Sequence, residues 1–409
     1  MSKRGRVTIL GLNYAPEPTG NAPYTTALAR HLQATGFTTT VLTAFPHYPQ
    51  WRRYDGYRGW RSETIDEGVR LIRLKHWVPY PPRGVRRLVS EISFGIRLVL
   101  SRWHRPGTVV LVSPALFSTF LAMLRLTVQR RPRRIVWVQD LYSQGMEETG
   151  EGGGLAQQVA RMVERWTLRR AHTVIAIHEV MAMRMIESLG VDRDRIEVIP
   201  NWTHVTPSGL SPTDAKKHLG WPPVFTALHA GNMGLKQGLE VIVSAAREAA
   251  EREPSLRFVL LGDGGERARL EELAADISAI AFIDPLGDSD FSVALAAADV
   301  LLVTEALGVA EMAAPSKLTS YFAANRPVVA SVSADGIVAR MMLEAGAGIV
   351  TAGGDSESLL AAVEELRENP DHRESYSQRA RDYWLHNLGP DPALAAWARI
   401  LQPSILGEA

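Results

Sequence analysis

Short apolar runs alternate with amphipathic stretches over almost the whole chain, and this alternation restricts the fold more than any other feature. In the first half the apolar runs are "VTILGL", "TTTVLTA", "VRLIRL", "TVVLVS", "RIVWVQ", "HTVIAI" and "RIEVIP". Stretches such as "YTTALARHLQAT" and "AQQVARMVERWTLRRA" stand between them at helical spacing. The second half repeats the scheme with "VFTALHA", "RFVLLG", "IAFIDP", "VLLVT", "PVVAS" and "AGIVTA". Apolar strands separated by helices make parallel sheets covered on both faces. The 409 residues exceed what one core encloses. The expected fold is therefore α/β, with two doubly wound, Rossmann-like domains whose ligands bind beyond the carboxyl ends of the strands. The stretch "PNWTHVTPSGLSPTDAKKHLGWPP", rich in Pro, Ser and Thr, marks the boundary. This gives one domain over 1–203, a second over 204–385, and a tail over 386–409 expected to pack back on the first.

Composition narrows the function. The chain has no cysteine, which excludes disulfides, thiolate metal sites and cysteine nucleophiles. The N-terminus "MSKRGRVTILGL" is basic and then apolar, but the apolar run is short and lacks a cleavage signal, so it reads as a first strand. The longest apolar run, "TVVLVSPALFSTFLAMLRLTV", is broken by Ser113, Pro114 and Arg125 and reads as strand, loop and helix. A cytoplasmic protein is expected.

The net charge of +1 hides an asymmetry. Residues 1–200 carry about 29 Lys+Arg against about 16 Asp+Glu, and the remainder has an acidic excess of about 12. Much of the basic excess lies in "PPRGVRRLVSEISFGIRLVLSRWHR". There Leu88, Ile92, Ile96 and Val99 recur at helical spacing beside Arg86, Arg87, Arg97 and Arg102. Two readings stand: a solvated surface helix, or a helix lying on the anionic inner face of the cytoplasmic membrane. Nucleic acid is not expected, because no binding module interleaves the arginines.

Chemistry enters with "HAGNMGLKQGLEVIV", where Gly231, Gly234 and Gly238 surround Lys236 between a strand and a helix. Such a loop presents free backbone N–H groups and the positive end of a helix dipole, a natural anion site. The spacing is neither a Walker loop nor a dinucleotide fingerprint. Three further places share the pattern. Gly20 and Asn21 precede a helix in "YAPEPTGNAPYTTALARHL", with Pro23 suited to its first turn. Gly262, Asp263 and Gly264 end a strand in "LLGDGGERARLEELA", where Asp263 reads equally as a helix cap. In "EALGVAEMAAPSKLTSYFAANRPVVAS", Pro315 reads as the first helical residue, placing Ser316, Lys317 and Leu318 on exposed amides. Together they suggest a diphosphate site.

These motifs, with "FPHYP", "YDGYRGWRSETIDEGVRLIRL", "WVQDLYSQ" and "VIPNW", occur in an order that covers nearly the whole chain. The chain resembles family-4 retaining glycosyltransferases of the GT-B architecture, closest to the colanic-acid and O-antigen type of sugar transferase. The resemblance implies two Rossmann-like domains facing across a cleft, the first binding the acceptor and the second the nucleotide sugar. It implies that Gly231, Asn232, Gly234 and Lys236 hold the donor diphosphate, with Lys236 neutralising the leaving group. Asn232 stands where many members carry arginine. Gly20 would approach the donor phosphates, and Ser316 and Lys317 would touch donor sugar or phosphate. The family's paired glutamates are missing: Ser320 stands at the second position, and Glu305 and Glu311 are the nearby acids.

The implied reaction transfers a sugar from a nucleoside diphosphate to an acceptor hydroxyl, with retention. Negative charge grows on the departing diphosphate, so catalysis is chiefly electrostatic. No D-x-D-like anchor lies in a suitable loop, since "DRD" at Asp192–Asp194 is far from any glycine loop. No metal and no cofactor are expected beyond the donor. In the first half Asp140 of "WVQD" and His47 of "FPHYP" are candidate catalytic and substrate-binding groups, each with an equal claim to a structural role. His178 reads as a helix cap, and Trp202 as a donor-facing or packing residue. The acceptor is a saccharide, a lipid-linked saccharide or a small molecule. The alternatives are a nucleotide-sugar epimerase on the same scaffold and a protein that binds nucleotide sugars without catalysis.

Overall fold

A computed structural model of the protein describes residues 5–18, 20–81, 84–129, 132–143, 154–203, 206–252, 256–306 and 316–402. The chain forms two compact units. One spans Met1–Pro200 together with Ala393–Ala409, the other Asn201–Pro392.

The first unit is built on strands β1 (Arg6–Leu10), β2 (Thr38–Ala44), β3 (Arg61–Asp66), β4 (Val69–Leu74), β5 (Thr108–Ser113), β6 (Arg133–Val138), β7 (Thr173–Ala176) and β8 (Ile196–Val198). Their order across the sheet is β3-β4-β2-β1-β5-β6-β7-β8. All neighbours are parallel except β3 and β4, an antiparallel edge pair. The sequence reading passed over β3 because "RSETID" is polar and lies at the exposed edge. Helices α1 (Ala22–Ala34), α2 (Val85–Leu100), α3 (Leu116–Gln129), α4 (Gly154–Arg169) and α5 (Glu179–Leu189) cover the sheet.

Helix α2 turns the smaller part of its apolar content inward. Its buried residues are Ser90, Glu91, Phe94, Gly95 and Leu98. Gly95 permits a close crossing with α3, since a Cβ there would stand 2.8 Å from the Ser118 Cα. Val85, Val89, Ile96 and Leu100 are left exposed along one stripe, at 73%, 44%, 48% and 75% of full accessibility.

The second unit has strands β9 (Phe225–Ala230), β10 (Leu256–Leu261), β11 (Ile280–Ile283), β12 (Val300–Thr304), β13 (Val328–Val332) and β14 (Gly348–Ala352). They form one parallel sheet in the order β11-β10-β9-β12-β13-β14. Its helices are α6 (Pro212–Leu219), α7 (Glu240–Arg252), α8 (Arg267–Leu273), α9 (Asp288–Ala297), α10 (Ser316–Ala323), α11 (Ile337–Ala345), α12 (Ser356–Glu368) and α13 (Pro370–Tyr383). A π-turn at Trp384–Leu388 follows, then α14 (Pro390–Leu401). Leu388 is buried in the core of the second unit. Membership of the first unit therefore resumes at Ala393 rather than at 386. There Trp397 is buried edge-on against Trp137 of β6, with ring centroids 4.9 Å apart, and Arg133 donates to the Ile400 carbonyl.

Candidate functional site

In each sheet the chain starts at a central strand and winds outward in both directions, so a crevice opens where the crossovers diverge. In the second unit that point lies between β9 and β12, and in the first between β1 and β5. The Lys236 loop and the start of the Lys317 helix follow the two strands of the second unit's point, and Gly20 and Asn21 follow β1 at that of the first.

In the second unit the loops after β9, β10 and β12 lock together. Gly231 leaves β9 at φ +135° and Gly262 leaves β10 at +138°. A Cβ on Gly262 would stand 2.0 Å from the Gly231 carbonyl oxygen, and one on Gly264 would stand 2.3 Å from that of Met233. The Met233 N–H donates to the Asp263 carbonyl at 2.8 Å, and the Glu266 N–H to that of Met233 at 2.9 Å. Loop-on-loop packing thus requires Gly262 and Gly264, a reason not visible in the sequence. The Asp263 carboxylate is exposed and accepts the Gly264 N–H at 2.8 Å.

Lys236 sits on a short 3-10 turn, Leu235–Gln237, with its side chain exposed. Its carbonyl accepts the Ala306 N–H at 2.9 Å, and the Gln237 carbonyl accepts the Thr304 hydroxyl at 2.6 Å. Gly238, at φ +55°, lies so close that a Cβ would meet the Ala306 Cα at 2.8 Å. The turn is therefore fastened to the end of β12, one residue from the buried Glu305. Gln237, which sequence reasoning missed, closes the loop from within. Its Oε1 accepts the Gly234 N–H at 3.0 Å and the Asn232 amide at 3.2 Å. Asn232 thus braces the loop.

Helix α10 brings the second cation. The Lys317 ammonium lies 3.2 Å from His229 Nε2. Burial, then the charge of Lys317, holds the His229 imidazole well below its usual pKa. The ring is neutral and accepts the bond. Tyr321, one turn on, fixes the helix: its hydroxyl accepts the Ala230 N–H at 2.8 Å. Helix α10 begins at Ser316, so its N-terminal end brings the positive end of the helix dipole to this place. Leu318 departs from expectation: its side chain is fully buried in the apolar core, so only its amide can serve a ligand. The Ser320 hydroxyl lies 3.4 Å from that of Thr203. The Ser316 side chain and all of Glu311 lie outside the described residues.

In the first unit Gly20, Asn21 and His47 line one cavity of about 160 Å³, together with Asn13, Tyr48, Trp51, Arg87, Ser90 and Glu91. Gly20 adopts φ +67°. The fully buried His47 keeps Nδ1 at 3.0 Å from the Phe45 carbonyl and 3.3 Å from Glu17 Oε1. Desolvation lowers its pKa, opposed by Glu17. Asp140 is not among the cavity residues. It lies exposed beyond β6, where its charge adds to the burial that raises the Glu164 carboxyl. Glu164 in turn accepts the Tyr142 N–H at 2.7 Å and the Ser143 hydroxyl at 2.5 Å. His178 caps α5, accepting the Met181 N–H at 3.0 Å.

A glycine loop bearing a lysine, a second lysine and a helix start thus stand beside one switch point, the kind of arrangement that suits a phosphate group. Comparison with known proteins gives the class. Residues 19–202 match the Glycosyl transferase 4-like domain and residues 213–383 match Glycosyl transferases group 1. WcaI of Escherichia coli (strain K12), provisionally named a colanic acid biosynthesis glycosyl transferase, is 31% identical over 80% of this chain and 84% of its own. Sucrose-phosphate synthase of Thermosynechococcus elongatus superposes with a TM-score of 0.71 at 18% identity, covering 97% of this chain and 98% of that one. HepE of Anabaena, solved in complex with UDP, gives 0.68 at 16%, covering 97% and 99%. The protein is a glycosyltransferase. It belongs to the family-4 glycosyltransferases of GT-B architecture.

Proposed function

We propose that the protein transfers a sugar from a nucleoside diphosphate to an acceptor hydroxyl with retained configuration and without a metal ion, in the assembly of a surface polysaccharide or related glycoconjugate. The observation that carries this is the fastening of the Lys236 turn, through Ala306 and Thr304, to the carboxyl end of β12 beside β9. In this reading the bond from the anomeric carbon to the diphosphate breaks and its electron pair leaves on phosphate oxygen. The acceptor oxygen bonds to the same carbon, and its proton passes to the departing diphosphate. Lys236, Lys317 and the first amides of α10 stabilise the growing charge. They need no reorganisation, because packing already fixes their backbones. The WcaI name supports the polysaccharide assignment, and the HepE complex supports UDP as the donor base. Nothing in the site favours an epimerase.

The acceptor belongs to the first unit, and the same unit docks on an anionic membrane at the cytoplasmic face. The exposed stripe Val85, Val89, Ile96 and Leu100 supports this, flanked by Arg86 and Arg97. Such a face partitions into a headgroup layer by apolar burial and charge together. No described helix is long and apolar enough to cross a membrane. The test is incubation with UDP-, GDP- and dTDP-sugars. Slow release of one nucleoside diphosphate, accelerated by a saccharide acceptor, is expected. An isomerised donor, or no product from any of them, contradicts the reading.

A further inference from the structure

Two buried carboxylates meet the loops around the cavity of the first unit, and they are satisfied very differently. Glu17, 3% exposed, accepts four N–H groups. Its Oε1 takes those of His47 and Tyr48, each at 2.8 Å, while Oε2 takes the Tyr14 amide at 3.3 Å and the Asn13 side chain at 2.9 Å. A carboxylate has about four lone-pair sites, so Glu17 is full and serves as a brace. Glu91 is equally buried but, among the described residues, meets fewer donors: it accepts the Phe117 N–H of α3 at 3.2 Å and pairs with Arg87, whose Nε lies 3.5 Å away. Burying a carboxyl with acceptor capacity unused costs stability, so the position calls for a further donor. Unlike Glu17, Glu91 lines the cavity.

The rest of the wall has the chemistry of a sugar subsite. Asn13, Asn21, His47, Ser90 and Arg87 supply polar edges. Tyr48 and Trp51 supply rings, and Trp51 is held at φ +51°, a strained conformation for a bulky residue. The cavity of about 160 Å³ holds roughly five waters at their liquid volume. That is on the scale of one pyranose ring.

We infer that this cavity receives a single neutral sugar unit of the acceptor, and that Glu91 is the specificity-determining residue, accepting hydrogen bonds from its hydroxyls. The inference rests on the sugar-transferase reading and names the group that selects the acceptor. Arg87 keeps the carboxylate beside a cation, and the α3 amide holds it in place.

The test uses the intact protein with methyl glucoside, galactoside, mannoside and fucoside at millimolar concentration, read by ligand-observed NMR without donor. At least one glycoside is expected to bind, about tenfold more weakly to Glu91→Gln, which loses the charge but can still accept the Phe117 N–H. Trp51→Ala, elsewhere on the wall, is expected to weaken the same glycoside. Binding unchanged in both folded variants overturns the inference, as does the absence of binding by all four glycosides. Failure of the transferase reading would show separately, as no thermal stabilisation by UDP, GDP or dTDP.

Discussion

The Lys317 ammonium stands 3.2 Å from His229 Nε2 and passes directly over Gly231, where an added Cβ would lie 2.9 Å from the lysine Cε. One buried neutral histidine and one bare glycine therefore set where this cation sits. Gly231→Ala is expected to displace Lys317 and strain a backbone at φ +135°. The fold should survive, because the clash falls on a flexible side chain. Steady-state kinetics should show kcat/KM down by about 10- to 100-fold, in the range of losing one charge-stabilising donor. Unchanged kinetics would detach Lys317 from the donor site.

Burial pushes the Glu91 carboxyl up to about 7 from 4.5, against the pull of Arg87 and the Phe117 amide. Its folded pKa is raised, so folding favours the protonated form. The contribution is fully present below about pH 4.5 and is lost as pH rises through about 7. Glu91→Gln should therefore gain stability relative to the wild type between pH 5 and pH 8, by up to about 3 kcal/mol. Melting curves at the two pH values check this. A difference between variant and wild type that does not change with pH rules it out. Tolerance of this cost fits a group kept for binding.

For the membrane face, structure separates the arginines that sequence grouped together. Arg87 faces Glu91, and Arg97 stacks on Trp60 with its Cζ 5.5 Å from the ring centre while donating to the Trp60 carbonyl at 2.9 Å. The exposed apolar stripe becomes the sharper target. Val85→Glu combined with Leu100→Glu should cut sedimentation with anionic vesicles about tenfold or more and leave thermal stability nearly unchanged, since these side chains are 73% and 75% exposed. Equal partitioning of variant and wild type would leave α2 as a plain surface helix.

The fold was largely legible in the sequence because buried parallel strands are apolar throughout. The exception, β3, is an exposed edge strand whose residues carry no such signal. The site was legible where glycines and lysines cluster, as at Gly231, Lys236 and Lys317. It was obscure where long-range contacts decide a role. Gly262 serves the Gly231 backbone, and Asn232 serves Gln237. Glu91, in the middle of an amphipathic helix, reads as a solvated residue until α3 is seen to cover it. Leu318 directly follows "PSK" in the sequence, yet helical geometry turns its side chain into the core.

The central claim is that Lys236 stabilises the departing diphosphate. Single-turnover transfer by Lys236→Ala, with folding verified by its melting temperature, tests it directly. The account predicts a rate reduced about 100-fold or more, with donor binding weakened far less. A rate within a few-fold of the wild type would contradict it.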